Sequence, residues 1–175
     1  LHSGDGQLCD LIIDRAALEA ILEAGNRSKA AIIRDYAEST VAVANIKIAV
    51  RCCKTGKSLE FMKRAMAPCK TLNVERLAHA ALAGMDSVME YLIGAGYAEA
   101  ADAIKESPSA FERWCDNRII ETIKPQKTNP FSVGPLVAYV IARQNEIKTG
   151  RIILTCKQNG LSDDSIRERG REMYV

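Results

Sequence analysis

Aromatic residues are scarce in this chain, at 5% of 175 positions, and only two histidines occur. The first shortage leaves little for stacking nucleic-acid bases. The second leaves little for a histidine-based metal site. No apolar run approaches the roughly 20 residues that a spanning helix needs. The longest candidate, Val41 to Val50, is broken by Asn45 and Lys47. No basic segment followed by an apolar run opens the chain, so no signal peptide is expected. Sustained two-residue alternation is missing too, which argues against a β-sheet. Neither sign of charge dominates: 24 Lys and Arg stand against 22 Asp and Glu, for a formal charge of +2. Bulk charge therefore implies neither a nucleic-acid nor a membrane partner. The chain begins on Leu1 rather than Met, so it reads as a fragment or processed form.

Six cysteines occur, at positions 9, 52, 53, 69, 115 and 156, with no C-x-x-C pair. Cys52 and Cys53 are adjacent, which suits neither a mutual bridge nor chelation of one metal, and His2 and His79 add too little for zinc. The pattern reads as free thiols in a reducing compartment, used as small apolar filler.

What is present is helical. Hydrophobic residues make up 47% and charged residues 26% of the chain, ordinary for a globular protein and rich in the helix formers Ala and Leu. Spacing of three and four predicts a first helix over 9–23, with Leu8, Leu11, Ile12, Leu18 and Leu22 on its stripe and Gly25 and Asn26 as its stop. A long helix follows over 29–54, with Ile33, Tyr36, Ala37, Thr40, Val41, Ala44 and Ile48 inward and Gly56 at its end. Ser58 caps a short helix through Ala67, before Pro68. Asn73 caps a helix carrying Leu77, Ala78, Ala81 and Leu82, which Gly84 closes. Short helices follow from Asp86 or Ser87 (with Val88, Met89, Leu92 and Ile93) and over 98–105. Ser107-Pro108 starts a helix to Ile123 bearing Phe111, Trp114, Cys115 and Ile119. A polar loop over 124–134 leads to a second long helix over 135–158, with Leu136, Tyr139, Val140, Ile147 and Leu154 assigned to its inner face. Ser162 caps a last basic helix from Asp163 to about Met173. The fold class is all-α, a set of helix hairpins and bundles.

The two long helices echo each other. Asn45 and Arg51 in one match Asn145 and Arg151 in the other, 100 positions along. Asn and Arg inside an apolar helix are costly unless paired. One reading is that each pair bonds a neighbouring helix and fixes packing. The other is that it projects toward a partner.

Catalysis finds little support. His79 is the only internal candidate base, and its Ala-rich stripe predicts a packed histidine. Lys54-Thr55-Gly56-Lys57-Ser58 lacks the preceding glycine and strand of a phosphate loop. No cofactor is expected.

The C-terminal third carries a recognisable string. Gly134-Pro135-Leu136-Val137-Ala138-Tyr139 leads to Asn145-Glu146-Ile147-Lys148 and Arg151-Ile152-Ile153-Leu154, then to Leu161, Ile166-Arg167-Glu168-Arg169 and Tyr174-Val175. Upstream, Asp10-Leu11-Ile12-Ile13-Asp14-Arg15 and the series Asp35-Tyr36, Asn45-Ile46-Lys47 and Arg51 fit the same pattern. The order and spacing closely resemble the C subunits of bacterial and archaeal V-type (A-type) ATPases, whose family includes the d subunits of eukaryotic vacuolar ATPases. Two departures stand out: Gly150 and Gly170 fall at helical positions where the family has larger residues.

The resemblance implies a non-catalytic subunit of three similar helical bundles. It would couple the central stalk to the membrane rotor ring in proton or sodium transport, as a peripheral protein on the cytoplasmic face of the membrane. Residues 1–70 would complete a middle bundle and 71–175 form the C-terminal one, with the N-terminal bundle absent. Arg51, Lys54, Lys57, Asn145, Glu146, Lys148 and Arg151 are the expected partner contacts. The bias of residues 51–70, with Arg51, Lys54, Lys57, Lys63, Arg64 and Lys70 against Glu60, fits an acidic stalk surface, anionic lipid headgroups or a solvated hairpin turn. A generic helical scaffold and a nucleic-acid module are the rival readings.

Overall fold

A computed structural model describes residues 6–174, excluding the side chains of residues 6–8, 127 and 128. The readings placed on His2, Val175 and the Leu8 side chain lie outside the described residues. Among the described residues there are α-helices and one 3-10 turn, and no strand.

α1 (Gly6–Arg27) and α2 (Ala31–Thr55) form the first hairpin. α1 does not stop at Gly25. It runs through Gly25 to Arg27, and Gly25 lets α2 pass close beside it. A Cβ at Gly25 would run into the Cβ of Ala37 on α2. The glycine permits the crossing rather than ending the helix. Leu11 is buried as expected, whereas Ile12 faces outward at 58% exposure.

α2 is the central helix. Its buried residues include Ile32, Ala37, Val41, Ala42, Val43, Ile46, Ala49, Val50 and Cys52, which cover most of its circumference. This is the pattern of a helix surrounded by others. Val43, Ile46 and Val50 share one core cluster with residues of α4 (Val74–Ala83), α5 (Met85–Gly94), α6 (Ala98–Glu106) and α7 (Pro108–Ile123). Part of that core is aromatic: Trp114 meets Tyr97 edge-on and stacks on Phe111, each with ring centroids 6.2 Å apart. A second cluster joins Ile32, Ile120 and Ile123 to Ala138, Ile141 and Ala142 of α8 (Gly134–Gln158).

The caps follow the sequence. Ser58 accepts from the Phe61 N–H at 3.2 Å to start α3 (Leu59–Ala65), and Asn73 accepts from the Arg76 N–H at 2.9 Å to start α4. Ser107 accepts from the Ala110 N–H at 2.9 Å ahead of Pro108. The loop after α7 begins as a 3-10 turn, Lys124–Thr128.

Three further expectations fail. The inner face assigned to α8 is its outer face: Leu136, Tyr139, Val140, Ile147 and Leu154 are all exposed, and Ala138, Ile141, Ala142, Asn145, Thr149 and Cys156 are buried. The stripe is real, but Ile141 and small or polar side chains carry the packing. His79 is exposed rather than packed, as are Leu82 and Ile93 at nearby stripe positions. The last helix, α9 (Asp163–Glu168), ends well short of Met173, and Gly170 lies beyond it. Side chains hold the backbone of Glu172 instead. Its N–H donates to Asn117 Oδ1 at 2.9 Å, and its carbonyl accepts from Asn145 Nδ2 at 2.8 Å.

The echo is structural. Gly56 and Gly160, 104 positions apart, both take positive φ, at 61° and 68°. At each, the next N–H reaches back to a buried cysteine: Lys57 to the Cys52 carbonyl at 3.1 Å and Leu161 to the Cys156 carbonyl at 3.0 Å. Ser58 and Ser162 then cap the following short helices. This is the same Schellman-type exit followed by the same N-cap. The asparagines act in a similar way: Asn45 holds the N–H and carbonyl of Ala67, and Asn145 the carbonyl of Glu172, each beyond the short helix. Asn145 precedes its cysteine by four residues more than Asn45 does, about one helical turn.

Two glycines in helices make opposite tests. Gly25→Ala is expected to lower stability by about 1–2 kcal/mol through overpacking against Ala37. Gly150→Ala is expected to raise it by about 1 kcal/mol, because nothing lies within 4 Å of its added Cβ. Urea unfolding of both variants checks the pair.

Candidate docking surfaces

The charged residues singled out in the sequence fall on two separate surfaces. Arg51 and Lys54 are exposed on the last turns of α2, and Lys57 is half-buried just beyond. The Lys57 ammonium sits over the Phe61 ring, 5.1 Å from its centroid. Arg51 and Lys57 line a cleft of about 290 Å³ between α1, α2 and α3, together with Asp10, Asp14 and Phe61. The fold thus brings two carboxylates to a stretch that is basic in sequence. Lys70, at the far end of that stretch, is turned away: its N–H donates to Glu38 at 2.7 Å and its ammonium to Asn26 at 3.2 Å.

The second surface lies along α8. Asn145 is buried and committed to Glu172, Glu146 pairs with Arg143, and Arg151 is exposed. Lys148 donates to Asp116 Oδ1 at 2.6 Å, and Arg171 donates to Asp116 Oδ2 at 2.7 Å. Asp116 on α7 therefore joins three elements: α7, α8 and the segment after α9. Asp116 is 13% exposed and Arg171 7%. Burial pushes the Asp116 carboxyl up, but the bonds from Lys148 and Arg171 outweigh it and hold its pKa below the ordinary carboxylate value. Sequence reasoning missed Asp116, since nothing marks it as different from other acidic residues of a helical face.

A further ion pair links α2 to α7. Lys47 donates to Glu112 at 2.7 Å. Burial opposes the Lys47 charge, and the bond to Glu112 restores it and raises its pKa. Beside them, burial pushes the Cys115 thiol up to about 12, which keeps it protonated and unreactive.

Among the described residues no group of three or more His, Cys, Asp or Glu is placed to hold a metal ion, and no helix is long and apolar enough to cross a membrane. The arrangement is an all-helical bundle with charged and apolar residues exposed along α2 and α8. The chain belongs to the ATP synthase (C/AC39) subunit family, whose model matches residues 1–169. It is similar to the A-type ATP synthase C subunit of Desulfurococcus, with 28% identity over 148 residues, covering 81% of this chain and 40% of that protein. The C subunit of the Methanocaldococcus jannaschii A-type ATP synthase is 28% identical over 175 residues, covering 90% of this chain and 42% of its own length. That of Haloquadratum walsbyi is 33% identical over 87 residues, covering 48% and 25%. The chain thus spans about two-fifths of the length of the first two relatives. No solved structure matches it.

Asp116→Asn is expected to cost about 3 kcal/mol, the scale for breaking a largely buried ion pair. The folded pKa is depressed, so the contribution is complete above the ordinary carboxylate pKa of about 3.9 and fades as pH falls toward the folded value. Urea midpoints of the native chain and the variant should therefore differ at neutral pH and converge below about pH 4.

Proposed function

We propose that the chain is part of the non-catalytic C subunit of an A-type ATP synthase, coupling the central stalk to the membrane rotor ring. Family membership over nearly the whole chain carries this reading. A close-packed helical body suits it, because dense interiors transmit strain with little compression. The subunit sits peripherally on the cytoplasmic face of the membrane, without a cofactor, and serves proton or sodium transport through its neighbours.

Two charged surfaces supply the contacts. Arg51, Lys54 and Lys57 at the end of α2 meet one neighbour, and Glu146, Lys148 and Arg151 along α8 meet another, with Asn145 fixing the chain behind them. Such exposed charges set orientation and encounter rate more than raw affinity. The division into a middle bundle over 1–70 and a C-terminal bundle over 71–175 belongs to the same proposal.

The test is purification of the tagged complete polypeptide from its host's membranes in gentle detergent. Recovery of stalk and rotor subunits is the expected result. Substituting Glu for Arg51, Lys54 and Arg151 together should weaken that recovery about tenfold, about 1.4 kcal/mol spread over three exposed charges. Recovery of none of these subunits contradicts the proposal, and salt-sensitive recovery of nucleic acid points to a different role.

A further inference from the structure

The loop between α7 and α8 carries an apolar tip. Phe131 is fully exposed, the most exposed large hydrophobic side chain among the described residues, and Val133 and Leu136 just beyond it are 48% and 67% exposed. The tip is closed by its own hydrogen bonds. The Asn129 N–H donates to the Gln126 carbonyl at 3.2 Å. The Ser132 hydroxyl donates to the Asn129 carbonyl at 3.1 Å and accepts from the Gly134 N–H at 3.1 Å. Pro130 fixes the backbone just before the ring. The loop therefore holds Phe131 outward in a defined conformation.

The same end of the molecule is poor in carboxylates. Ala30, Ile32 and Ile33 at the start of α2 cluster with Ile120, Ile123 and Ala138, so the α1–α2 turn lies at the same end as the tip. Residues 24–34 carry Arg27, Lys29 and Arg34, and residues 122–142 carry Lys124 and Lys127; neither stretch contains Asp or Glu. Asp35 borders the first stretch, and Glu23 and Glu172 reach in from outside to pair with Arg27 and Lys124. Both pairs are exposed, so they are weak and yield readily to a denser anionic surface. Arg27 and Lys29 are themselves exposed, and Arg34 spends one N–H on the neutral Ser28 carbonyl and keeps its charge.

A projecting aromatic ring among cations suits the boundary of an anionic bilayer, which receives it without a shaped pocket. Resting on the functional reading above for a membrane within reach, we infer that this end of the molecule touches an anionic lipid surface. Phe131, Val133 and Leu136 enter the boundary between headgroups and acyl chains, and Arg27 and Lys29 lie among the lipid phosphates. An apolar anchor and a basic patch are each weak alone and together give reversible binding. Arg51 lies 20 residues after Ala31 on α2, about 30 Å along the helix, which leaves that end clear of the lipid for a protein neighbour.

Phe131→Trp in the isolated complete polypeptide tests this. The probe is a vesicle of equal parts phosphatidylglycerol and phosphatidylcholine, brominated on the acyl chains. Trp114 lies in the core stack, so the unsubstituted polypeptide is the control. The variant's emission should be quenched more than the control's, and the extra quenching should vanish at high salt and with phosphatidylcholine alone. Phe131→Asp should lower co-sedimentation with the anionic vesicles about tenfold, the scale of one buried aromatic side chain, and leave the unfolding midpoint unchanged. No extra quenching, equal quenching by neutral vesicles, or undiminished sedimentation of Phe131→Asp overturns the inference. So does a change in the variant's emission that needs the rotor ring in detergent and not lipid, which assigns the tip to a protein. The vesicle experiment uses no other component of the ATP synthase. Its failure is therefore distinct from a failure to recover stalk and rotor subunits.

Discussion

The fold depends most on one buried amide. Asn45 sits at the centre of α2 with no exposure, in a helix otherwise covered by apolar neighbours. Burying it is unfavourable unless it is bonded. It is bonded at both ends: Nδ2 donates to the Ala67 carbonyl at 2.7 Å, and Oδ1 accepts from the Ala67 N–H at 3.0 Å. One side chain thereby satisfies a backbone segment that has left α3 and entered no other helix. Glu38, two turns earlier on α2, takes the N–H groups of Lys70 and Thr71 at 2.7 and 2.8 Å. Tyr97 then donates to Thr71 at 2.9 Å. The return of the chain across α2 is thus fixed by polar side chains, and α4 and α5 are placed by that return.

The segment after α9 is held by side chains in a similar way. Asn145 holds Glu172, Asn117 holds it from the other side, and Asp116 anchors Lys148 and Arg171 alongside. Here α8 keeps an exposed apolar face, with Leu136, Val140, Ile147 and Leu154 on it.

The helices were legible because their caps and breakers are local. Ser58, Asn73, Ser107 and Ser162 act within three residues of themselves, and a single sequence displays them. Burial was less legible because it depends on what lies across the gap. On α8 the exposed apolar residues formed the conspicuous stripe, while Ala138, Ile141 and Ala142 made the contact. Gly25 read as a stop because a helix-interior glycine and a terminal one look alike until Ala37 is seen against it. The Asn echo was visible, but its role needed Ala67 and Glu172, 22 and 27 residues away. The repeat of Cys, Gly and Ser at 52, 56 and 58 and at 156, 160 and 162 lay in the sequence throughout. It carried meaning only once both glycines were seen at positive φ. Asp116, by contrast, had no sequence signal.

The most direct measurement is hydrogen exchange at the Ala67 amide. If Asn45 is the pin on which the return segment depends, that amide exchanges only through global unfolding, as slowly as the core of α2. Replacing Asn45 with Ala then releases it and lowers stability by about 2–3 kcal/mol, since it leaves a buried donor and acceptor unpaired. Exchange at Ala67 as fast as in the exposed turn around Asn129, or a variant as stable as the native chain, would contradict the account.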